Sequence, residues 1–471
     1  MIDFNAPYGL LIDGRLVQTS ASLEVVNPAT GEVFATCPAA GQAELDAAVA
    51  AARRAFPAWR ALSWEQRAGY VARIAEALEA HKEPLAKLLT QEQGKPVGQS
   101  RDEIARAGTL SVGMTKIRIA PETILDNEQR LIELHWRPLG VAGIITPWNA
   151  PVNLAAGPLA SALYTGNCAI IKPSPFTPLT TLRIGELLRD ILPAGVVSVL
   201  SGGDELGALL TAHPGIDKIS FTGSVATGKK VMASAAGTLK RVTLELGGND
   251  AAIVLPDVDV ADVAKKLFFA ATVNSGQVCM AVKRIYAHED IYEALCAALA
   301  AEAQKAKLGD GLDPATTLGP IQNRRQYERV CELKQDAQRH GKSVEGTRPD
   351  GNGYFVAPTV VTGLGEQDRL VAEEQFGPVF PVLPFRDVDD AVARANDTRF
   401  GLSGSVWSRD TARAAAIAAR LEVGTAWVNQ HRITAADVPF GGAKESGIGR
   451  TYSRMGLEAY LEPQVISVLR S

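Results

Sequence analysis

Apolar residues early in the chain recur with a helical step. Leu45, Val49, Ala52 and Phe56 follow one another at intervals of four, three and four, which places them on one helix face. Ser63 with Gln66 three residues on is a capping-box pattern, and the apolar line Val71, Ile74 and Leu78 comes after it. These patterns predict a mostly helical stretch over residues 1–115. From about residue 117 to 138 the period changes to two. IRIAPETIL and RLIELHWRPL alternate apolar and polar positions around Asp126-Asn127, as two strands of a hairpin do. The apolar face of such a hairpin suits either a second subunit or the chain's own core.

After the hairpin, short apolar runs at Gly140–Ile145, Ala169–Lys172, Val196–Leu200 and Lys218–Phe221 alternate with helical stretches such as Thr180–Leu192. That rhythm predicts parallel strands covered on both faces, the α/β class, with ligands at the carboxyl ends of the strands. A second series of strands and helices opens at Ala251–Leu255 and runs to about residue 430. There GTAWVN reads as a strand leading toward the glycine-rich PFGGAKESGIGR. The final QVISVL alternates weakly and is a candidate partner for the hairpin.

Composition narrows the function classes. Lys plus Arg number 48 and Asp plus Glu 52, a net charge of −4, so no basic footprint points to nucleic acid or an anionic membrane. No run of about 18 apolar residues suggests a membrane span. The N-terminus lacks the pattern of a signal peptide, so a cytoplasmic location is expected. The five cysteines are widely and irregularly spaced, which is no disulfide framework, and no metal site is expected from the Cys and His spacing.

Four segments carry candidate chemistry. TPWNAP, Thr146 to Pro151, follows the first parallel strand and holds Asn149, whose amide can donate to a developing oxyanion or simply satisfy loop backbone. FTGSVATGKKV turns at Gly223 and Ser224 into a helix start, which suits a phosphate or is an ordinary cap. LELGGND sets Glu245 between leucines and before two glycines. Partial burial there would raise its pKa and make it a base usable near neutrality, unless it is salt-bridged at a strand end. NSGQVCMAVKR places Cys279 after a Gly-containing turn, as a reactive thiolate or an inert core thiol.

Taken together, these segments resemble the aldehyde dehydrogenase superfamily over nearly the whole chain. LELGG and, 34 residues later, GQVC stand at the spacing of the superfamily's base and nucleophile. PWN, KPS and FTGS precede that pair, and EEQFGPV and PFGGAKESGIGR follow it, in the family's order. The resemblance implies an aldehyde dehydrogenase-like α/β fold. Its parts are a Rossmann-type cofactor domain (1–118 and 139–247), an α/β catalytic domain (248–448) and a small β oligomerisation element (119–138 and 449–471).

The resemblance also implies oxidation of an aldehyde to the carboxylic acid with NAD or NADP, by a homodimer or homotetramer. Cys279 attacks the aldehyde carbon as thiolate, Asn149 and the Cys279 N–H hold the oxyanion, and Glu245 activates the water that hydrolyses the thioester. Thr146, Pro147, Trp148, Leu246 and Gly247 line the cofactor. Lys172 reaches the adenosine ribose, Gly223 and Ser224 meet the pyrophosphate, and Glu374 and Phe376 lie at the nicotinamide ribose and ring. Ala150, Asn153, Leu154, Val278, Met280, Asn429 and His431 are implied substrate contacts, and Arg432 beside them is a candidate for a polar or acidic substrate tail.

The departures from the family pattern are informative. After KPS, beyond Ser174, many NAD-preferring members have Glu where this chain has Pro175, which permits NADP. Ala150, Gly157 and Pro158 replace two frequent aromatics and a lysine, so a wider substrate tunnel is expected. Asn249 stands where Lys is frequent. Two alternatives stay open: a CoA-acylating semialdehyde dehydrogenase, against which Glu245 argues, and a non-catalytic protein on the same fold.

Overall fold

A computed structural model describes residues 3–470. Residues 1, 2 and 471, the outermost positions of the expected first and last segments, lie outside the described residues. The expected parallel strands form as Val141–Ile145, Cys168–Lys172, Val197–Val199 and Lys218–Thr222, joined by Arg241–Glu245. They are the centre of an eight-stranded sheet, with Val141–Ile145 between Cys168–Lys172 and Lys218–Thr222. Cys168–Lys172 is buried at every position, which is why it reads as an unbroken apolar run. The helix expected at Thr180–Leu192 spans Leu179–Ile191.

The N-terminal stretch corrects the helical reading. Four strands, Leu10–Ile12, Arg15–Val17, Ser22–Asn27 and Glu32–Pro38, precede the first helix, Gln42–Arg60. Leu10–Ile12 pairs antiparallel with Val197–Val199 and so extends the large sheet. Strands of three residues are too short to show a period, and this one pairs along its whole length with its neighbour Arg15–Val17. From Gln42 onward the helical reading holds. Leu45, Val49 and Ala52 are buried in Gln42–Arg60. Ser63 and Gln66 form the reciprocal cap of helix Trp64–Ala80, whose Val71, Ile74 and Leu78 are buried.

The second series builds a seven-stranded sheet. Its order is Lys342–Glu345, Thr359–Thr362, Val379–Phe385, Val282–His288, Asp250–Val254, Ser403–Trp407 and Thr425–Val428. Neighbours are parallel except for the first pair. The hairpin forms from Glu122–Asp126 and Arg130–Pro138, and the C-terminal strand Leu461–Leu469 pairs antiparallel with Arg130–Pro138. One crossing matters for the site. Gly447–Ile448, from the glycine-rich loop, returns to the first sheet and pairs with Leu244 and Glu245.

Candidate functional site

Four neighbouring strand ends make one wall of the site. Ile145 is in register with Lys172 and Phe221, and Thr222 with Glu245. Loops leaving these ends therefore start from one edge of the sheet, the edge where ligands bind in open parallel sheets. Thr146 is buried, donates its N–H to the Lys172 carbonyl at 3.1 Å and leaves its Oγ1 without a protein partner. Pro147 and Trp148 are half-buried, and the Trp148 ring meets Phe376 edge-on, centroids 5.4 Å apart.

The Lys172 ammonium is buried and makes one long hydrogen bond, 3.3 Å to the Pro173 carbonyl. Burial pushes its pKa down to about 8, with the charge of Asp204 acting in the opposite direction. Ser174 is buried and Pro175 half-buried just beyond it. Gly223 donates its N–H to the Glu245 carbonyl at 3.0 Å, and Ser224 caps helix Val225–Ala236 by accepting from the Thr227 N–H. Leu246 donates to the Ser446 carbonyl at 2.9 Å.

Glu374 folds onto the two glycines that follow Leu246. It accepts the Gly248 N–H at 3.0 Å, and a Cβ on Gly247 would fall 2.2 Å from its Oε2, so the close approach requires glycine. An under-partnered buried amine, a helix N-terminus and a carboxylate lying on bare backbone fit the ribose hydroxyls and phosphates of a dinucleotide.

The nucleophile turn comes from the second sheet. Asn274, Ser275 and Gly276 take left-handed φ values of 51°, 53° and 71°. A Cβ on Gly276 would lie 2.2 Å from the Gly377 carbonyl oxygen, so this turn is wedged against the segment that carries Glu374 and Phe376. Asn149 is buried and donates its amide to the Gln277 carbonyl at 2.9 Å, which sets that amide against the turn and leaves its second hydrogen for a ligand. The Asn149 carbonyl accepts from Lys95 Nζ at 2.8 Å and Asn274 Nδ2 at 2.9 Å. Lys95 in turn pairs with the buried Glu103, whose Oε1 accepts the N–H groups of Val152 and Asn153.

Cys279 is half-buried, and burial pushes its thiol pKa up to about 12. That burial favours the neutral thiol over the thiolate. Lys283 pulls in the other direction: its buried ammonium donates to the carbonyls of Val278 and Cys279 and lies 3.7 Å from Glu374. Glu245 is buried with both carboxylate oxygens unpartnered, and burial holds its pKa well above the usual carboxylate range. Its charge bears on Cys279. Gly441 of the glycine-rich loop sits over it, with a built Cβ 3.0 Å from Oε1, and Arg450 acts on it as the opposing charge.

The expected substrate contacts divide. Ala150, Asn153, Leu154, Val278 and Met280 are half-buried around the turn and the start of helix Pro151–Tyr164. Asn429 has both ends of its amide taken by the main chain of Ser408, at 2.9 and 2.8 Å, so it acts as a brace rather than a free contact. His431 is buried between Ser405 Oγ (2.9 Å) and the Met280 carbonyl (3.0 Å), and burial pushes its pKa down to about 3. It is a neutral strut behind the residue next to Cys279. The extra room expected at Gly157 is taken by Tyr452, whose Cε1 lies 3.2 Å from a built Cβ.

Sequence reading passed over Lys95, Glu103, Lys283, Arg450 and Tyr452. Only Lys283 left a signal, a lysine within the strand Val282–His288, which is buried at six of seven positions. The others act through contacts distant in sequence.

The sequence pattern of the aldehyde dehydrogenase family matches residues 16–466. The chain belongs to the aldehyde dehydrogenase family. An aldehyde dehydrogenase of Enchytraeus buchholzi is 39% identical, over 94% of this chain and 91% of that protein. Betaine aldehyde dehydrogenase of Staphylococcus aureus, solved in complex with NAD+, is similar with a TM-score of 0.94 and 33% identity, covering 98% and 95% of the two chains. An NADP-dependent enzyme of E. coli matches with a TM-score of 0.95 and 34% identity over 98% of each chain. This aldehyde dehydrogenase is thus an oxidoreductase that uses NAD or NADP to oxidise an aldehyde. No helix among its described residues is long and apolar enough to cross a membrane.

Proposed function

We propose that Cys279, Asn149 and Glu245 carry the aldehyde oxidation and that water, not CoA, releases the acyl group. The observation that carries this reading is Glu245: a buried carboxyl with no partner, in electrostatic reach of Cys279. Leaving such a group unpaired costs stability, on the order of 1–3 kcal/mol, and a reacting water is the partner that repays it.

Cys279 Sγ bonds to the aldehyde carbon as its proton leaves. Glu245, the unpartnered acid in reach, is suited to accept that proton because its own pKa is raised. The free Asn149 hydrogen and the Cys279 N–H hold the hemithioacetal oxyanion. A bound NAD or NADP would supply the hydride acceptor for the C–H of that carbon. Lys172, Ser224, Glu374 and Phe376 would hold that cofactor. Glu245 releases that proton to solvent and, again as carboxylate, removes a proton from the water that attacks the thioester; the C–S bond breaks, and the leaving Cys279 sulfur takes this proton from Glu245, returning the thiol and the carboxylic acid.

A homodimer or homotetramer is supported by the exposed apolar side chains Ile124, Val465, Val468 and Leu469 on the hairpin sheet. A cytoplasmic location is consistent with five free cysteines. Reduction of NAD and NADP at 340 nm, with a panel of aldehydes with and without CoA, tests the reaction. CoA-independent reduction is the expected result. Strict dependence on CoA would replace water by CoA as the acyl acceptor.

A further inference from the structure

The helix that follows Asn149 has no cap of its own. Helix Pro151–Tyr164 starts after Ala150, whose side chain cannot accept a hydrogen bond. The free N–H groups of its first turn, on Val152 and Asn153, are taken instead by Glu103 Oε1 at 3.0 and 3.2 Å. A carboxylate placed there satisfies orphan donors and meets the positive end of the helix dipole. Glu103 belongs to a different helix, Val97–Met114, and its other oxygen pairs with Lys95 Nζ. Both side chains are buried.

The same ammonium donates to the main-chain carbonyl of Asn149 at 2.8 Å, beside Asn274 Nδ2 at 2.9 Å. The side-chain amide of Asn149 is held too, by the Gln277 carbonyl. Gln99 stands one turn before Glu103 on the same helix face, and its Oε1 accepts the Asn274 N–H at 3.1 Å. The backbone at Lys95 is wedged as well: neither Gly311 nor Gly319 has room for a Cβ against the carbonyl oxygens of Lys95 and Gly94. The Gly319 carbonyl accepts from Ser275 Oγ at 2.6 Å. These contacts close a ring from Lys95 through Asn149 and the nucleophile turn back to Lys95.

A buried ion pair is a poor source of stability, because desolvation offsets much of the attraction. Here its remaining hydrogen bonds end on groups that fix Asn149 or the helix start behind it. We propose that Glu103, Lys95 and Gln99 are positioning residues that clamp the two donors of the oxyanion hole together. One donor, the Asn149 amide, follows a strand of the first sheet; the other, the Cys279 N–H, precedes a strand of the second. This rests on the reading of those two groups as the oxyanion hole. Such donors act only when already aimed at the developing charge, so a clamp that spans both sheets is what their alignment requires.

The test is a double-mutant cycle on the full enzyme, read by the rate of the burst of reduced cofactor. Lys95→Met with Glu103→Gln removes both charges at once, so no buried charge is left alone and the local net charge is unchanged. Gln keeps an acceptor for the Val152 and Asn153 N–H groups. This double substitution should slow the burst about tenfold or more, as small misplacements of reacting groups do. Asn149→Ala alone should slow it about 10²–10³-fold. In the Asn149→Ala background the charge removal should cost less than about twofold, because the donor it aligns is gone. Equal factors in both backgrounds, or no loss in the first, overturn the clamp. An Asn149→Ala enzyme with an unchanged burst would instead sink the oxyanion reading.

A disordered turn would also slow the enzyme, and alkylation separates the two causes. Iodoacetamide reacts with Cys279 without forming an oxyanion. Its rate, and the cofactor dissociation constant, should therefore stay within about twofold in the charge-free variant while the burst slows. A parallel fall in alkylation would overturn the positioning role. Gln99→Leu decides the matter if the buried variant does not fold, since Gln99 is half-buried and outside the ion pair. It should slow the burst several-fold with alkylation and cofactor affinity unchanged. An unchanged burst would overturn the clamp on the nucleophile turn.

Discussion

The cofactor side and the substrate side of the site are built by different means. On the cofactor side, Thr146, Lys172, Gly223 and Leu246 stand at or just beyond the ends of four adjacent parallel strands, set level by sheet register. On the proposed substrate side, Asn429 and His431 come from a loop, and Tyr452, with φ of 58°, from a helix start. The first arrangement follows from backbone hydrogen bonding and changes little when side chains change. The second depends on a few long-range contacts, such as His431 to Met280 and Arg106 to Thr434. One fold can thus keep its cofactor chemistry while its aldehyde varies, since function is set at sites carried by a shared scaffold.

The two sides meet at Cys279 and Glu245, where the largest effects are expected. Cys279→Ala should abolish turnover while leaving cofactor affinity, measured by fluorescence titration, within about twofold. Retained dehydrogenase activity would move the nucleophile elsewhere. Glu245→Gln should give a stoichiometric burst of reduced cofactor and then a phase slower by roughly 10²–10⁴, the usual contribution of a positioned base. The pH profile carries the sign. Burial raises the Glu245 pKa, so the basic form is scarce below that pKa and grows as pH rises through it. Deacylation should therefore rise with pH in the unaltered enzyme, and the Gln variant should lose that limb.

Lys283 sharpens the comparison, because it links the nucleophile turn to the cofactor-side carboxylate Glu374. Its charge lowers the Cys279 pKa against the effect of burial. Lys283→Met should shift the pH profile of iodoacetamide alkylation at Cys279 upward and lower kcat/KM by about tenfold, one pK unit corresponding to 1.36 kcal/mol. An unshifted alkylation profile with a lowered Tm would leave Lys283 a packing role alone.

What was legible in the sequence follows the same division. Motifs at strand ends were readable because a strand, a turn and a helix start are local, and the 34-residue spacing of Glu245 and Cys279 is linear. The strand at Gly447–Ile448 was not, since it exists through a partner far along the chain, and Leu10–Ile12, paired with both its neighbour Arg15–Val17 and the distant Val197–Val199, is too short to show a period. Asn429 and His431 looked like contacts because they lie in the right loop, yet Ser408, Ser405 and Met280 take up their polar groups. Gly157 suggested open space, and only the three-dimensional path of residue 452 fills it. Residue type marks what a position can do, but a partner distant in sequence decides whether that group is free to do it.

The smallest expected effect lies at the adenosine end and tests whether the cofactor side is as fixed as its strands. Pro175 removes the carboxylate that would favour NAD there, but the chain has another acid in place. Asp204, exposed at the start of helix Asp204–Ala212, is the charge that acts on Lys172. Gly207 of the same helix packs on the lysine stem, its built Cβ 3.7 Å from Lys172 Cε. A carboxylate beside that amine repels a 2′-phosphate and accepts from a 2′-hydroxyl. Pro175→Glu should therefore shift the ratio of NAD to NADP dissociation constants only several-fold toward NAD, because one carboxylate already acts at the site. Asp204→Asn should shift it several-fold the other way, and the double variant should fall between. If Asp204→Asn left both constants unchanged while Pro175→Glu moved them more than a hundredfold, the discriminator would be position 175 alone.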